Sequence, residues 1–359
     1  MKAQHWLTKT WRKSNLKYQE NWLLQLLILS LLLVSIFLYA NHQVNLRQEQ
    51  AVLDEYFDQI TTLFVEGNQS AIAISKTNLG RARTVATLHQ LRGQRKGQLL
   101  QFLAEANLIV RNQPLIDLEG TDFKGSELIE ANLSDINLDR VNLAGANLQD
   151  SALAKSSLVE ANLRQATLFE ANLASANLNQ ATLTRANLSS AVLEAANLSE
   201  ANLRGATLRG TNFRQAKMTD ANLEGARMES AVLDDAQADG VELNNAILIR
   251  ADLNRVSLKD ATLRYANLKG ATLNQAIFID ADIRAAILED AILAEADLSN
   301  ANLTRSVLIN ASLNNANFNQ TNLSYANLRD ANVESDTFDQ AIFCNTIMPD
   351  GEIENRDCP

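Results

Sequence analysis

The order of apolar and polar residues divides the chain into three stretches with different periods. Trp22 to Ala40 is a run of nineteen residues without a charge, long enough for a helix to cross a bilayer. Between Val44 and Asn112 apolar residues recur at helical spacing, as in Val52, Leu53, Tyr56, Phe57, Ile60, Leu63 and Phe64, with Asp54, Glu55 and Asp58 between them. That spacing predicts two to four amphipathic helices. Beyond Pro114 the period becomes five, which fits neither a 3.6-residue helix nor an alternating strand.

From Leu118 to Phe343 the third position of each five-residue unit gives 46 sites, 45 of them Leu, Phe, Ile, Met or Val, and no insertion breaks the phase. Two residues earlier stands Ala, or occasionally Ser, Thr, Val or Ile, and only Asp336 places a charge there. The fourth and fifth positions carry almost all the charges. The small and the large residue suit an interior, and the next two residues suit water. Each buried Leu offers roughly 1.5–3 kcal/mol against about 1–2 kcal/mol of backbone ordering per residue, so single units are unstable and stacking of repeats carries the stability. The weakest unit is Ala236–Gly240, where Ala238 fills the large position, with Met218 twenty residues earlier and Phe213 and Met228 nearby. The repeat is expected to narrow or kink there, as a packing adjustment before a recognition site.

The tandem A-(N/D/T)-L-x-x pattern, clearest in Ala161-Asn162-Leu163-Arg164-Gln165, Ala166-Thr167-Leu168-Phe169-Glu170 and Ala171-Asn172-Leu173-Ala174-Ser175, resembles the pentapeptide-repeat family over about 230 of the 359 residues. The resemblance implies a mainly β fold: a right-handed quadrilateral β-helix of about eleven coils, one pentapeptide per side, roughly 55 Å long at a strand spacing of about 4.8 Å. The segments Arg81-Ala82-Arg83-Thr84, Gln94-Arg95-Lys96-Gly97 and Phe102 to Ile109, and the tail Cys344 to Gly351, are similar to the flanks of cyanobacterial membrane-associated pentapeptide-repeat proteins. This second resemblance implies no activity.

The expected organisation is a basic segment at 1–21, one transmembrane helix at 22–40, an α-helical juxtamembrane and capping region at 41–113, the β-helix at 114–343 and a C-terminal cap at 344–359. Lys2, Lys9, Arg12, Lys13 and Lys17 precede the apolar run and only Arg47 follows it within twenty residues. The positive-inside rule then sets the N-terminus in the cytoplasm and the β-helix in the periplasm or thylakoid lumen. A cleaved signal peptide competes with an anchor, although bulky Leu38 stands where cleavage needs a small residue.

An open β-helix needs caps to cover its unpaired edges. Gln98 to Arg111 reads as a capping helix stopped by Pro114, and Met348-Pro349-Asp350-Gly351 reads as a turn at the other end. Cys344 and Cys358 are the only cysteines. They are reduced thiols if the chain is cytoplasmic and a disulfide if it lies outside, and there is no second pair from which to build a zinc site.

Residues 1–113 carry 13 Lys and Arg against 7 Asp and Glu, whereas residues 114–359 carry 19 against 35. The acidic larger part argues against a nucleic-acid binder. Lys76, Arg81, Arg83, Arg92, Arg95 and Lys96 fall in an interval without any acid. They form either a solvated face that meets the acidic part downstream or a patch for anionic lipid headgroups. His5, His42 and His89 all lie outside the repeat, so a His-based dyad on it is excluded. Carboxylates on a regular rod lack a desolvating pocket, and no glycine-rich phosphate loop is present. No cofactor, metal or catalytic residue is therefore assigned.

Folding the repeat at twenty residues per coil sorts the charges by side. The side through Leu118 and Leu138 carries Asp117, Glu119, Asp139, Glu160, Glu200, Asp220, Asp239, Asp260, Asp280, Asp297 and Asp339 against Arg140, Lys217 and Lys259. The next carries Lys124, Arg164, Arg185, Arg204, Arg264, Arg284 and Arg305 against Asp122, Glu224, Glu242 and Asp282, and is the candidate basic interaction side. The third, through Leu128 and Leu148, carries Ile129, Phe169, Ile247, Ile249, Ile287, Val307 and Ile309 as a candidate apolar contact.

The leading expectation is a non-enzymatic, membrane-anchored scaffold, bound to lipid through 22–40 and to an unidentified protein through its charged sides, without nucleic acid. The acidic and basic sides also allow pairing into a homo-oligomer. A second reading follows family members that resemble duplex DNA and occupy DNA gyrase; the anchor and the basic side weigh against it. A third, an enzyme in the helical region, finds no nucleophile with a partnered base.

Overall fold

The computed structural model describes residues 2–65, 73–334, 338 and 340–358, with side chains from residue 31 onward in those ranges except 32, 65 and 73–75. The chain forms two compact units, Met1–Glu55 and Tyr56–Pro359. Helix α1 runs unbroken over Lys2–Val65. No Gly or Pro interrupts the chain before Gly67. Among the described residues no helix is long and apolar enough to cross a membrane. The expected transmembrane helix is therefore not supported. The side chains of residues 22–30 lie outside the described residues.

In the second unit the end of α1 is followed by α2 (Ala73–Leu88) and α3 (Gly93–Glu105), three helical pieces where two to four were expected. The rings of Phe57 and Phe102 stand 4.2 Å apart. The buried Tyr56 hydroxyl lies 2.7 Å from Thr84 Oγ1, which donates to the Gly80 carbonyl at 2.9 Å. Burial raises the Tyr56 phenol well above its ordinary range, against the Thr84 hydrogen bond, so the ring is a neutral part of the core.

Helix α3 is the N-terminal cap. It starts five residues earlier than expected and ends at Glu105, after which Asn107, at φ 54°, turns the chain toward the first coil. Leu99, Leu100 and Leu103 are fully buried. Lys96 donates to the Asp122 carbonyl at 2.6 Å and meets its carboxylate at 3.1 Å. Burial pushes the Asp122 carboxyl up, but the Lys124 backbone N–H and Lys96 outweigh it and hold it below the usual carboxylate range.

Parallel bridges join residues twenty apart, from Asp122 with Asn142 to Asn327 with Ile347. Each side contributes a single bridge instead of a longer strand, because two of every five residues are consumed by a turn. The large inward residues are buried, except Val333 and Phe338 in the last coils, which are half-buried, and the Ala residues two places before them are buried as well. Where the small site is Ser or Thr, the backbone satisfies most of the buried hydroxyls, as where Ser151 donates to the Leu148 carbonyl at 2.7 Å and Thr211 to that of Leu188 at 2.8 Å, while Ser126 Oγ and Ser306 Oγ have no hydrogen-bond partner among the described residues. Asn at the bridge position accepts the N–H two residues on, as in Arg164 N to Asn162 Oδ1 at 3.2 Å and Arg204 N to Asn202 Oδ1 at 3.1 Å. The preference for Asn or Asp there is thus an Asx turn repeated around the coil.

At the Ala238 unit the backbone neither kinks nor shifts. Lys217, Gln237 and Ser257 keep their parallel bridges, and Ala238 N donates to the Ser257 carbonyl at 2.8 Å. The ladder fixes the register through main-chain groups, so the loss of one large side chain does not propagate along it. At the far end a hairpin of β1 (Thr346–Ile347) and β2 (Ile353–Glu354) closes the last coil, with the expected turn between them.

Candidate interaction surfaces

Each coil presents two turn residues at each corner, and their side chains are the functional alphabet of this surface. On the basic side Arg164, Arg204, Arg264 and Arg284 occupy the first turn position, while Arg185 and Arg305 occupy the second, at φ 58° and 63°. Arg164, Arg185 and Arg204 come from three consecutive coils and line a concave notch with Thr184, Glu224, Gly205 and Gly225. The two glycines leave the corner beside Arg185 bare. Arg204 pairs with Glu224 at 3.2 Å, but Arg164 and Arg185 have no ionic partner among the described residues.

The other three arginines are engaged differently. Arg264 Nε and Arg284 Nη2 converge on the Asp282 carboxylate at 2.6 and 2.7 Å. Burial raises that carboxyl, yet the Arg284 and Arg264 hydrogen bonds prevail and hold it low. Arg305 lies 5.8 Å above the Tyr325 ring, a cation–π contact. The six arginines therefore form one notch and, farther along, a set already tied to the rod.

The acidic side is likewise divided. Arg140 bridges Glu119 at 2.7 Å and Glu160 at 3.0 Å, which lowers the Glu160 carboxyl through the hydrogen bond from that guanidinium. Arg81 takes Asp117 at 2.8 Å. Together with Lys96 on Asp122, this turns two of the basic residues of 76–96 toward the first coil. Asp139 and Asp239 accept from Ser157 and Ser257. Glu200, Asp220, Asp260 and Asp280 are exposed and have no ionic partner among the described residues. Asp339 lies outside the described residues.

The apolar candidates do not form one exposed patch. Ile129 is 47% exposed and Ile287 36%, eight coils apart; Phe169, Ile247, Ile249 and Ile309 are half-buried. The Lys269–Glu289 pair at 2.9 Å lies among the isoleucines of the later coils. Cys344 and Cys358 are joined by a disulfide with Cα atoms 4.7 Å apart. Among the described residues no group of three His, Cys, Asp or Glu side chains is placed to hold a metal ion.

A further charged cluster lies on the fourth side, outside the three sides that carry the candidate surfaces. There Asp234 meets Arg214 at 3.1 Å and Arg255 at 3.9 Å, and Asp235 meets Arg255 at 2.6 Å. The twenty-residue register that revealed the other sides would have revealed it too.

The chain matches the family of Pentapeptide repeats in eight copies, over residues 116–151, 146–185, 186–225, 196–235, 239–275, 257–293, 276–306 and 301–335. The matches skip 236–238, the unit with Ala238 at its centre. Among solved structures the chain is similar to HetL, a pentapeptide repeat protein involved in heterocyst differentiation regulation from the cyanobacterium Nostoc sp. strain PCC 7120. The two are 31% identical over 70% of this chain and 98% of HetL, with a TM-score of 0.28. A pentapeptide repeat protein from the thylakoid lumen of Arabidopsis thaliana is 28% identical over 36% of this chain and 66% of its own, with a TM-score of 0.11. QnrB1, a plasmid-mediated fluoroquinolone resistance protein, is 18% identical over 55% of this chain and 87% of its own, with a TM-score of 0.23. No curated protein matches the chain.

Proposed function

This chain belongs to the pentapeptide-repeat family, and from that premise we propose that it is a non-enzymatic interaction scaffold whose basic side receives a protein partner. The observation that carries the reading is the notch of Arg164, Arg185 and Arg204, where guanidinium groups from three consecutive coils converge on a glycine-edged concavity and two of them have no ionic partner among the described residues. Arginine suits such a site because its planar fork binds carboxylates bidentately and is weakly hydrated. Replacing all three with Glu is expected to abolish a cross-linked product in cells while leaving the circular dichroism and melting curve of the β-helix unchanged. An unaltered cross-linking pattern would remove this side from the function.

Tethering is the finer part of the proposal and rests on sequence: the uncharged run Trp22–Ala40 and the five basic residues before it. It carries with it a β-helix of about eleven coils outside the cytoplasm. Labelling of Cys344 and Cys358 in intact cells by a membrane-impermeant maleimide checks it. Reaction only after reduction supports a disulfide-bonded tail outside; free thiols reached only after permeabilisation overturn it.

The four carboxylates without ionic partners favour, as a second reading, a mimic of DNA directed at gyrase. They follow one corner at most once per coil of about 4.8 Å, whereas duplex DNA presents a charge every 1.7 Å or so, and arginines border them. Inhibition of gyrase supercoiling at micromolar concentration of the chain would restore that reading.

A further inference from the structure

We infer that the partner of the basic side is a second copy of this chain, the two β-helices lying parallel with equal coils level. This rests on the reading of that side as a protein-binding surface and names what binds it. The side is bounded by two corners. Where the chain enters it stand Glu160, Glu200, Asp220, Asp260 and Asp280, with the cations Arg140 and Lys259 among them, and where the chain leaves it stand Lys124, Arg164, Arg185, Arg204, Arg264, Arg284 and Arg305. In four coils the same turn of chain carries both signs: Glu160 with Arg164, Glu200 with Arg204, Asp260 with Arg264 and Asp280 with Arg284.

None of these four pairs closes within the chain. Glu160 is held by Arg140, Arg204 leans on Glu224, and Arg264 and Arg284 lean on Asp282. Asp260 and Asp280 have no ionic partner among the described residues. A second copy brings an arginine of the same coil to each carboxylate, and the arginines that lean on Glu224 and Asp282 remain about half exposed and open to a second acid.

Symmetry selects the arrangement. When two identical sides face each other about a two-fold axis parallel to the rods, the entering corner of one copy meets the leaving corner of the other at the same height. Each carboxylate then faces the arginine of the same coil. A two-fold axis across the rods sets acid against acid and arginine against arginine. An isologous contact of the first kind closes on itself as a dimer. Because both columns advance by one coil, the match is retained along the rod without drift. The bridge positions between the corners include Asn162, Thr182, Asn202, Asn222 and Thr262, short side chains that let the two faces approach. Tyr265, 67% exposed at the leaving corner between Arg264 and Arg284, offers the aromatic surface on which such interfaces concentrate their binding energy. Two coils depart from the match: Asp220 shares its turn with Glu224, which is already paired with Arg204, and Lys259 stands beside Asp260 at the entering corner.

Sedimentation equilibrium on the full chain in mild detergent tests the inference. The native protein is expected to dimerise reversibly in low salt, with a dissociation constant at least tenfold larger in about 0.5 M salt, where screening shortens to a few ångströms. Asp260→Arg with Asp280→Arg gives one variant chain and Arg264→Glu with Arg284→Glu another. Each alone is expected to be monomeric, and an equal mixture to dimerise again, because every contact is then restored between unlike chains. The first variant leaves Asp282 and its arginines untouched, so it serves even where the second fails to fold. A native chain that is monomeric at low salt, a dimer indifferent to the first variant, or a mixture of two folded variants that stays monomeric would overturn the inference. A monomeric native chain whose arginine reversals still remove a cross-link to a different protein overturns the inference and leaves the scaffold reading standing; no effect on either removes both.

Discussion

At the scale of single residues, the regular surface forces one pair of like charges together. Asp234 is only 8% exposed, and its Oδ1 has no hydrogen-bond donor among the described residues. Burial pushes its carboxyl up and the neighbouring Asp252 pushes it further, against the Arg214 hydrogen bond. A carboxyl raised in the folded state favours folding when protonated, so this contribution is present below the ordinary carboxylate range and lost as the pH rises through the raised value. Asp234→Asn keeps the volume, removes the repulsion and supplies an N–H toward Asp252. What it gives up is an ion pair with a half-exposed Arg214, and such pairs contribute little. The variant is expected to melt above the native protein at neutral pH, with the difference shrinking toward zero below about pH 4, where both states hold a neutral side chain. Melting curves from pH 3 to 8 check this, and a lower melting temperature at pH 7 would show that the Arg214 bond prevails.

The same scale explains what sequence could and could not disclose. The Leu and Ala columns were legible because burial selects residue types: at the inward sites only one of 46 departs from the rule. The backbone of the corners was not. Every fifth residue from Gly120 to Asp330 lies at φ between 55° and 70°, and 35 of these residues carry a side chain, Tyr265, Arg185 and Ala195 among them. An isolated non-glycine residue in that region is unfavourable by roughly 1–2 kcal/mol. Here the turn's main-chain bonds to the next coil, such as Arg185 N to the Arg204 carbonyl at 3.0 Å and Ala195 N to that of Arg214 at 2.9 Å, hold it. Because the ladder imposes the conformation, the residue type at the corner is free to vary, and so leaves no signal.

At the scale of elements, the cap shows a residue whose local and tertiary meanings conflict. Gly97 sits inside α3, where Ala would favour the helix by about 1 kcal/mol. Yet a Cβ on Gly97 would lie 1.9 Å from the Glu127 carbonyl oxygen, a backbone atom that cannot swing away. Tertiary contact must win, since relieving the overlap lifts the helix from the first coil and strains the Lys96–Asp122 contacts. Gly97→Ala is expected to destabilise by about 1–3 kcal/mol or more, whereas Gln98→Ala, one place along, should be nearly neutral. Thermal melts of the two variants check the order, and faster hydrogen exchange at Leu99 to Leu103 in Gly97→Ala would locate the damage. A capping helix was readable from its apolar spacing, but its start at Gly93 was not, because a mid-helix glycine reads as a break until the opposing backbone is seen. The continuity of α1 was hidden for the converse reason: hydropathy changes twice along it while nothing in the chain stops a helix.

At the scale of the whole molecule, a stack of coils couples each turn mainly to its neighbours, so an end can loosen without the middle. The C-terminal closure concentrates its contacts in one place. Asp357 N donates to the Phe343 carbonyl at 2.9 Å, Phe343 N returns a bond to the Asp357 carboxylate at 2.9 Å, and Arg356 covers the Phe343 ring at 5.1 Å. The Phe343 N–H holds the Asp357 carboxyl below its ordinary range, so this closure weakens as acid protonates it. The Cys344–Cys358 disulfide locks these parts together. For a protein that unfolds in one step, a cross-link closing a loop of about fifteen residues contributes roughly 3 kcal/mol. In a stack, removing it first frees the terminal coil, and only the fraction of that energy transmitted through nearest-neighbour contacts reaches the rest. Cys344→Ser with Cys358→Ser is therefore expected to speed hydrogen exchange sharply at Leu323 to Asp357 and to lower the main melting transition by less than the full 3 kcal/mol would imply, leaving exchange at Leu163 to Leu223 unchanged. Uniform loss of protection along the whole rod would instead mean that the coils unfold as one cooperative body, with the tail as part of its core.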